Sequence, residues 1–150
     1  MQKGFTVIEI IIVLAIGALL TGFVALSFSK INEHEALNTN ADLIVSILNE
    51  ARSMTLSSVG DTGYGVHFDI DQVVLFRGAV YSSGSATNVP TTLNSRVAMR
   101  NISFGGGSNV IFSRLTGATA QAGTLQVYLK SATTTYKTIS VSAIGVSERN

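Results

Sequence analysis

The feature that most constrains this chain is an uncharged run near its N-terminus, which extends from Ile10 to Ser29. A helix of about 20 residues spans the roughly 30 Å hydrocarbon core of a bilayer, and this run is almost entirely apolar. A single carboxylate, Glu9, lies at its N-terminal boundary. Because a charge inside a membrane segment is costly, an acid at this position predicts a specific partner for it.

The residues around that carboxylate form a distinct pattern. Lys3 belongs to a short leader, Gly4-Phe5-Thr6 follows it, and Glu9 precedes the apolar run. This arrangement resembles the class III signal of type IV pilins and type II secretion pseudopilins. The resemblance implies that a prepilin peptidase cleaves between Gly4 and Phe5 and methylates the new N-terminal amine of Phe5. It also implies that Glu9 acts in assembly by meeting the Phe5 amine of an adjacent subunit.

Two other interpretations account for part of this N-terminus. An ordinary secretory signal has an apolar stretch of about 7–15 residues with the cleavage site after it, whereas this stretch is longer. A plain signal anchor explains the helix but explains neither Gly4-Phe5-Thr6 nor Glu9. The pilin-like resemblance implies a single-pass protein of the bacterial inner membrane, with a cytoplasmic N-terminus and a C-terminal domain outside the cytoplasm.

Composition narrows the chemistry that the rest of the chain can perform. Charged residues make up 13% of the sequence and the formal net charge is +1, which argues against a dominant electrostatic footprint for nucleic acid. Cysteine is absent, so disulfides, thiolate metal sites and a thiol nucleophile are excluded. A domain of about 120 residues without disulfides must be stabilised by its own core or by its neighbours.

Hydrophobic spacing predicts that the helix continues beyond the apolar run as an amphipathic helix over residues 30–57. The expected core-facing stripe consists of Leu37, Ala41, Ile44, Leu48 and Ala51, widened by Leu43, Ile47 and Met54. The residues expected to face away are Asn38, Asp42, Asn49, Glu50 and Arg52. The chain is therefore divided into a leader at 1–4, a transmembrane or filament-core helix at 5–29, this amphipathic helix, and a β-rich globular domain at 58–150.

Beyond residue 58 the apolar pattern alternates with a period of two, which is typical of β-strands. The segments 64–68 and 72–76 are predicted to form a hairpin, and further strands are predicted at 97–104, 110–112, 123–130 and 136–141. A loop is expected at 82–95 around Pro90, and a turn at 143–146 precedes a charged tail at 147–150. Short strands joined by turns predict an α+β fold, with the long helix packed on an antiparallel β-sheet or a small β-sandwich.

The C-terminal half extends the resemblance. The segments 123–127 and 139–146 look like those of the GspH/FimT-type minor pseudopilins, which implies a pilin fold. Some DNA-binding relatives carry a Gly-Arg-x-Arg element in this tail, where this chain has Gly145-Val146-Ser147-Glu148-Arg149. The first arginine is missing and an acid is present, which argues against DNA uptake. The other basic residues beyond the apolar run are scattered, so no basic cluster is predicted.

Catalysis requires acids, bases or nucleophiles held close together, and the sequence offers no such set. His34 lies between two glutamates and is expected to be solvated, while His67 alternates with apolar residues and is expected to point outward. Asp69 and Asp71 offer oxygen ligands of the kind that calcium prefers, although aspartates in a turn more often only shape it. We therefore predict neither an enzyme nor a metal or cofactor site.

Together these patterns predict a structural subunit, a pseudopilin of the minor type, in a type II secretion pseudopilus or a related type IV filament. The expected partners are other pilin or pseudopilin subunits, the prepilin peptidase, the inner membrane and an assembly platform. No nucleic acid partner is expected. The alternatives are a type IV pilus pilin for adhesion or motility and a minor pilin for DNA uptake.

Overall fold

The structure is a computed structural model that describes residues 4–105 and 107–150, without the side chains of residues 23–30. The leader residue Lys3 and the last side chains of the predicted 5–29 helix lie outside the described residues. The chain forms two compact units, Met1–Glu35 and Ala36–Asn150. One helix, α1, runs over Val7–Leu56 and is followed by a 3-10 turn at Val59–Asp61. The strands are β1 (Tyr64–Phe68), β2 (Gln72–Arg77), β3 (Val89–Thr92), β4 (Val97–Phe104), β5 (Asn109–Ile111), β6 (Gly123–Leu129), β7 (Ala132–Val141) and β8 (Ser147–Arg149).

The C-terminal part of α1 packs on the sheets through the stripe that its spacing predicts. The five predicted positions are all buried: Leu37, Ala41, Ile44, Leu48 and Ala51. Ile47 is buried as well, and Leu43 and Met54 are partly buried against the same core. Since residues three and four apart share one helical face, this burial confirms the amphipathic prediction.

A buried threonine connects the end of α1 to the first strand. The Thr55 hydroxyl donates to the carbonyl of Ala51 at 2.8 Å and accepts the backbone N–H of Tyr64 at 2.9 Å. Beyond it, Ser58 adopts a left-handed conformation with φ 51°. A left-handed residue is a frequent way for a helix to end, and here it reverses the chain toward β1.

The first sheet has the strand order β3-β2-β1-β5 and is antiparallel throughout. The β1–β2 hairpin matches its predicted bounds to within one residue, with Phe68 paired to Val73 next to the turn. The prediction of a loop over the whole of 82–95 is wrong, because residues 89–92 around Pro90 form an edge strand. Proline is tolerated on an edge strand, where its missing N–H removes no necessary ladder bond.

The second sheet has the order β4-β6-β7-β8 and is also antiparallel. β4 has the predicted bounds. β5 lies one residue earlier than predicted, and β6 ends one residue earlier. β7 begins at Ala132, four residues earlier than predicted. The segment predicted as a charged tail also differs from the prediction, since Ser147–Arg149 forms strand β8 and pairs with β7. Backbone hydrogen bonds between Thr138 and Asn150, in both directions, extend that pairing to the last residue.

This tail strand contacts polar residues of α1 that were predicted to face away from the core. The Ser147 hydroxyl donates to the Asn49 side-chain oxygen at 2.9 Å, and Arg149 forms an ion pair with Asp42 at 3.2 Å. Asn49 and Asp42 are exposed, yet both serve as attachment points. The polar side of α1 therefore fixes the C-terminus of the chain.

Both sheets and the helix share one hydrophobic core. Phe68 of the first sheet stacks on Phe104 of the second with ring centroids 5.0 Å apart. A buried polar residue, Asn40, also joins the layers, because its side-chain oxygen accepts the N–H of Asn94 at 2.9 Å while its amide donates to Ala36 at 2.7 Å. The observed architecture is α+β, with a long helix on two antiparallel sheets, as predicted.

Candidate functional site

The candidate site is the N-terminal segment, where sequence analysis placed processing and assembly. Gly4, Phe5 and Thr6 are not helical, and α1 begins at Val7. The predicted cleavage bond between Gly4 and Phe5 therefore precedes the helix, whereas Glu9 lies in its first turn. Negative charge in a first turn interacts favourably with the positive end of the helix dipole.

Thr6 is the residue that starts the helix. Its hydroxyl accepts the backbone N–H of Glu9 at 3.3 Å, and its carbonyl accepts the N–H of Ile10 at 3.3 Å. A threonine followed three positions later by glutamate is the spacing of a capping box, which satisfies amides that have no helical partner. This role was not among the sequence predictions, although the Thr6-Val7-Ile8-Glu9 spacing indicates it.

Phe5 and Glu9 line the same open groove on the helix surface. The groove has a volume of about 240 Å³, and its other lining residues are Ile10, Val13 and Leu14. The Phe5 side chain is 80% exposed, and Glu9 is exposed as well. The structure thus places the two residues predicted to act in assembly beside the same apolar groove.

Apolar side chains around the N-terminal part of α1 are open to solvent. The exposed large ones are Val7, Ile8, Ile10, Ile11, Ile12, Val13, Leu14, Ile16, Leu19 and Leu20. Contiguous exposed apolar surface of this kind marks a site of contact with another protein or a membrane. Within the residues that the structure describes, no helix has the length and apolar character needed to cross a membrane.

Two of the other residues considered for chemistry, His67 and Asp69, have structural contacts. His67 places Nδ1 at 2.7 Å from the Asn109 side-chain oxygen and stacks on Tyr81 with centroids 3.9 Å apart. The Asp69 carboxylate accepts the N–H of Ile70 at 2.8 Å, which is the local bond of a turn-forming aspartate. These contacts hold the outer surface of the first sheet and its hairpin turn in place.

Both the N-terminal segment and the fold of this chain are similar to those of known proteins. The prokaryotic N-terminal methylation motif matches residues 1–25. The fold is similar to that of the type IV minor pilin FimU from Pseudomonas aeruginosa, with a TM-score of 0.57 and 17% sequence identity over 76% of this chain and 92% of that chain. No curated protein sequence matches the chain. The chain therefore combines a prokaryotic N-terminal methylation motif with a fold similar to that of a type IV minor pilin.

Proposed function

We propose that this chain is a minor subunit of a type II secretion pseudopilus or a related type IV filament. The observation that carries the proposal is the presence of a methylation motif at residues 1–25 on a chain with a pilin-like fold. A signal of this kind implies that the chain is processed and then assembled into a filament. In that filament, the N-terminal helix would form part of the core and the globular domain would lie on the outside. The proposed role is structural, and no catalytic step is assigned to the chain.

The proposed mechanism is a transfer of the N-terminal helix between two apolar surroundings. The uncharged run from Ile10 to Ser29 supports storage in the inner membrane, with the N-terminus in the cytoplasm and the globular domain outside. On assembly the same side chains pack against the helices of neighbouring subunits. Because apolar contacts replace apolar contacts, the hydrophobic free energy changes little in this transfer, and polar groups decide its direction.

Gly4 and Phe5 are proposed as the processing site. Gly4 is not helical, and a Cβ atom added there would meet no other atom within 4 Å. The structure of the described residues therefore does not require glycine at this position. The absence of a structural requirement supports the proposal that recognition by another molecule, the prepilin peptidase, requires glycine here.

Glu9 is proposed to pair with the Phe5 amine of the adjacent subunit. Both residues line one groove, and the remaining lining residues are apolar. When a neighbouring helix covers this groove, the carboxylate loses water and requires a cation. Since an unpaired buried charge is penalised by about 3–5 kcal/mol, the pair selects one register of the helices even if it adds little net stability.

Processing is tested by co-expressing the full chain with a prepilin peptidase and analysing the membrane fraction by mass spectrometry. We expect loss of Met1–Gly4 and a methylated Phe5. An active-site variant of the peptidase provides the control. An intact N-terminus beside an active peptidase, which processes a second substrate in the same cells, would refute the proposed maturation.

The assembly role is tested with Glu9→Val in filament-producing cells. Insertion and cleavage should persist, because the change makes the helix more apolar and leaves the scissile bond intact. Incorporation into sheared filaments should be lost, since the neighbouring amine has no counter-charge in a low-dielectric core. Glu50→Val, which removes an exposed acid from the same helix beyond the apolar run, is the matched control. Normal incorporation of the Glu9 variant would refute the pairing.

A type IV pilus is the second candidate machine, favoured by the similarity of fold to a type IV minor pilin. The two machines are distinguished by deleting the gene and measuring both secreted protein and surface pili. Loss of secretion with normal pili supports the pseudopilus. Loss of pili with normal secretion supports the pilus.

A further inference from the structure

The outer face of the second sheet carries a compact group of one arginine and two tyrosines. Tyr128 of β6 pairs directly with Tyr136 of β7, and Arg100 of β4 pairs with Gln126 of β6. Since the intervening residues Met99, Val127 and Leu129 are buried in the core, these side chains lie on the opposite, solvent-facing side.

The Arg100 guanidinium is held in place from three directions. Its Cζ atom lies 4.9 Å from the ring centroid of Tyr128 and 5.3 Å from that of Tyr136. Its Nε–H donates to the Gln126 side-chain oxygen at 3.1 Å. Contacts of a cation with two ring faces and a fixed hydrogen bond restrict the rotamers of a normally mobile side chain.

The backbone beside Arg100 is shaped for this arrangement. The pairing of β4 with β6 shifts register between Arg100 and Ser103, which is a β-bulge. Within it, Asn101 has a φ of 51°, and its amide donates to the same Gln126 oxygen at 3.0 Å. Bulges re-aim side chains, and left-handed backbone in a residue other than glycine occurs most readily at asparagine. Gln126 thus acts as the common acceptor that orients both neighbours.

The amino groups at the tip of Arg100 remain available. Within the described part of the chain, the guanidinium makes its one side-chain hydrogen bond through Nε, and no ion pair involves Arg100. Two exposed cations, Arg96 and Lys130, lie at the adjoining ends of β4 and β6, where the Lys130 N–H donates to the Arg96 carbonyl. Arg96 and Lys130 are therefore direct neighbours at this end of the second sheet.

We propose that the Arg100–Tyr128–Tyr136 group is a docking site for a carboxylate side chain of a neighbouring filament subunit. This inference rests on the proposed function as a filament subunit. A guanidinium with free terminal amines binds a carboxylate through two parallel hydrogen bonds, and its restrained position lowers the entropy lost on binding. Tyrosine and arginine are also the residues that most often dominate the energy of protein interfaces.

The surroundings favour a carboxylate of a protein over a nucleic acid strand. The guanidinium already lies over both tyrosine rings, whereas a strand would need ring faces on which bases stack. The β1–β2 turn, which contains Asp69 and Asp71, lies at the open edge of β4, where the Ile70 carbonyl accepts the Met99 N–H at 2.7 Å. Two carboxylates at that edge repel an extended polyanion that follows the sheet.

The first test measures incorporation of full-length variants into sheared filaments. Arg100→Ala should reduce the incorporated amount about ten-fold, as loss of an interface hot spot does. Gln126→Ala should cause a smaller loss, because the arginine stays but is no longer oriented. Arg114→Ala, an exposed arginine whose partner is Asp61, is the matched control and should incorporate normally. Thermal melting of each variant excludes unfolding as the cause.

Outcomes of this test separate the inference from the proposed function. Absence of the wild-type chain from filaments would refute the function itself. Normal incorporation of both the wild type and Arg100→Ala would refute only the docking site. Loss of single-stranded DNA retention by Arg100→Ala, with normal incorporation, would overturn the protein partner in favour of a nucleic acid.

The second test identifies the carboxylate. In Arg100→Lys filaments, a carbodiimide joins the amine at position 100 to any carboxylate in direct contact with it. We expect one crosslinked peptide from another subunit, present in assembled filaments and absent from dispersed subunits. Crosslinks that form at Lys130 or Lys137 but not at position 100 would overturn the proposal.

Discussion

Leu48 offers the sharpest test of how α1 is held to the globular domain. Its side chain is fully buried, within a stripe that shares one hydrophobic core with both sheets. Leu48→Ala removes apolar contacts and leaves a cavity that a closely packed core refills only in part. Substitutions of this kind cost about 2–5 kcal/mol, and complete burial places this one in the middle of that range, at about 3–4 kcal/mol.

That loss is large relative to the stability of a small domain. A domain of this size is stable by about 5–15 kcal/mol, and each kcal/mol lowers the melting temperature by about 4 °C. We therefore expect Leu48→Ala to melt about 10–15 °C lower than the wild type. Leu48→Asp loses the same contacts and also buries an unpaired carboxylate, so it should show no cooperative transition.

Tyrosine fluorescence of the full-length protein in detergent provides the assay. The chain has four tyrosines and no tryptophan, and every tyrosine lies beyond residue 63, so the signal reports on the globular domain. Ser46→Asp, on the exposed side of the same helix, is the control and should melt like the wild type. A shift below about 3 °C for Leu48→Ala, or equal melting of the two aspartate variants, would refute the packing argument.

Further predictions concern two structural features. Asn40→Ala should lower the free energy of unfolding by about 1–3 kcal/mol in denaturant titrations, because the N–H of Asn94 loses its buried acceptor. An equivalent loss in Asn32→Ala, which is exposed, would contradict this reasoning. Gly145→Ala should destabilise more strongly, by several kcal/mol (about 3 or more), since φ is 79° and a Cβ would collide with the Gly117 carbonyl. Gly84→Ala, where a Cβ meets nothing, should be close to neutral in the same titration.

Three features were predictable because each depends on a pattern of residues close together in the sequence. They are the class III signal, the amphipathic stripe and the first hairpin. Helical burial repeats every three to four residues, so Leu37 to Ala51 identify one face without knowledge of what covers it. Strand alternation and a turn with two aspartates likewise define β1 and β2. The capping role of Thr6 was also readable from a four-residue spacing, although it was not recognised.

The edge strands were not predictable from local pattern. Residues 89–92 are mostly exposed and contain Pro90, and Ser147–Arg149 is short and charged. Neither segment has an alternating apolar pattern, because each is a strand only by pairing with a neighbour that supplies its hydrogen bonds. Their conformation therefore depends on where β2 and β7 lie in the folded chain.

The Arg100–Tyr128–Tyr136 group shows most clearly the difference between what the sequence determines and what only the tertiary structure decides. The sequence alone determined that this chain has an N-terminal methylation motif, a helix with one buried face and a set of strands. The tertiary structure alone decided that Arg100 meets Gln126, Tyr128 and Tyr136, residues that are 26 to 36 positions away along the chain. The physical reason is that periodicity reports which face of an element is buried, whereas the register between strands decides which exposed side chains become neighbours.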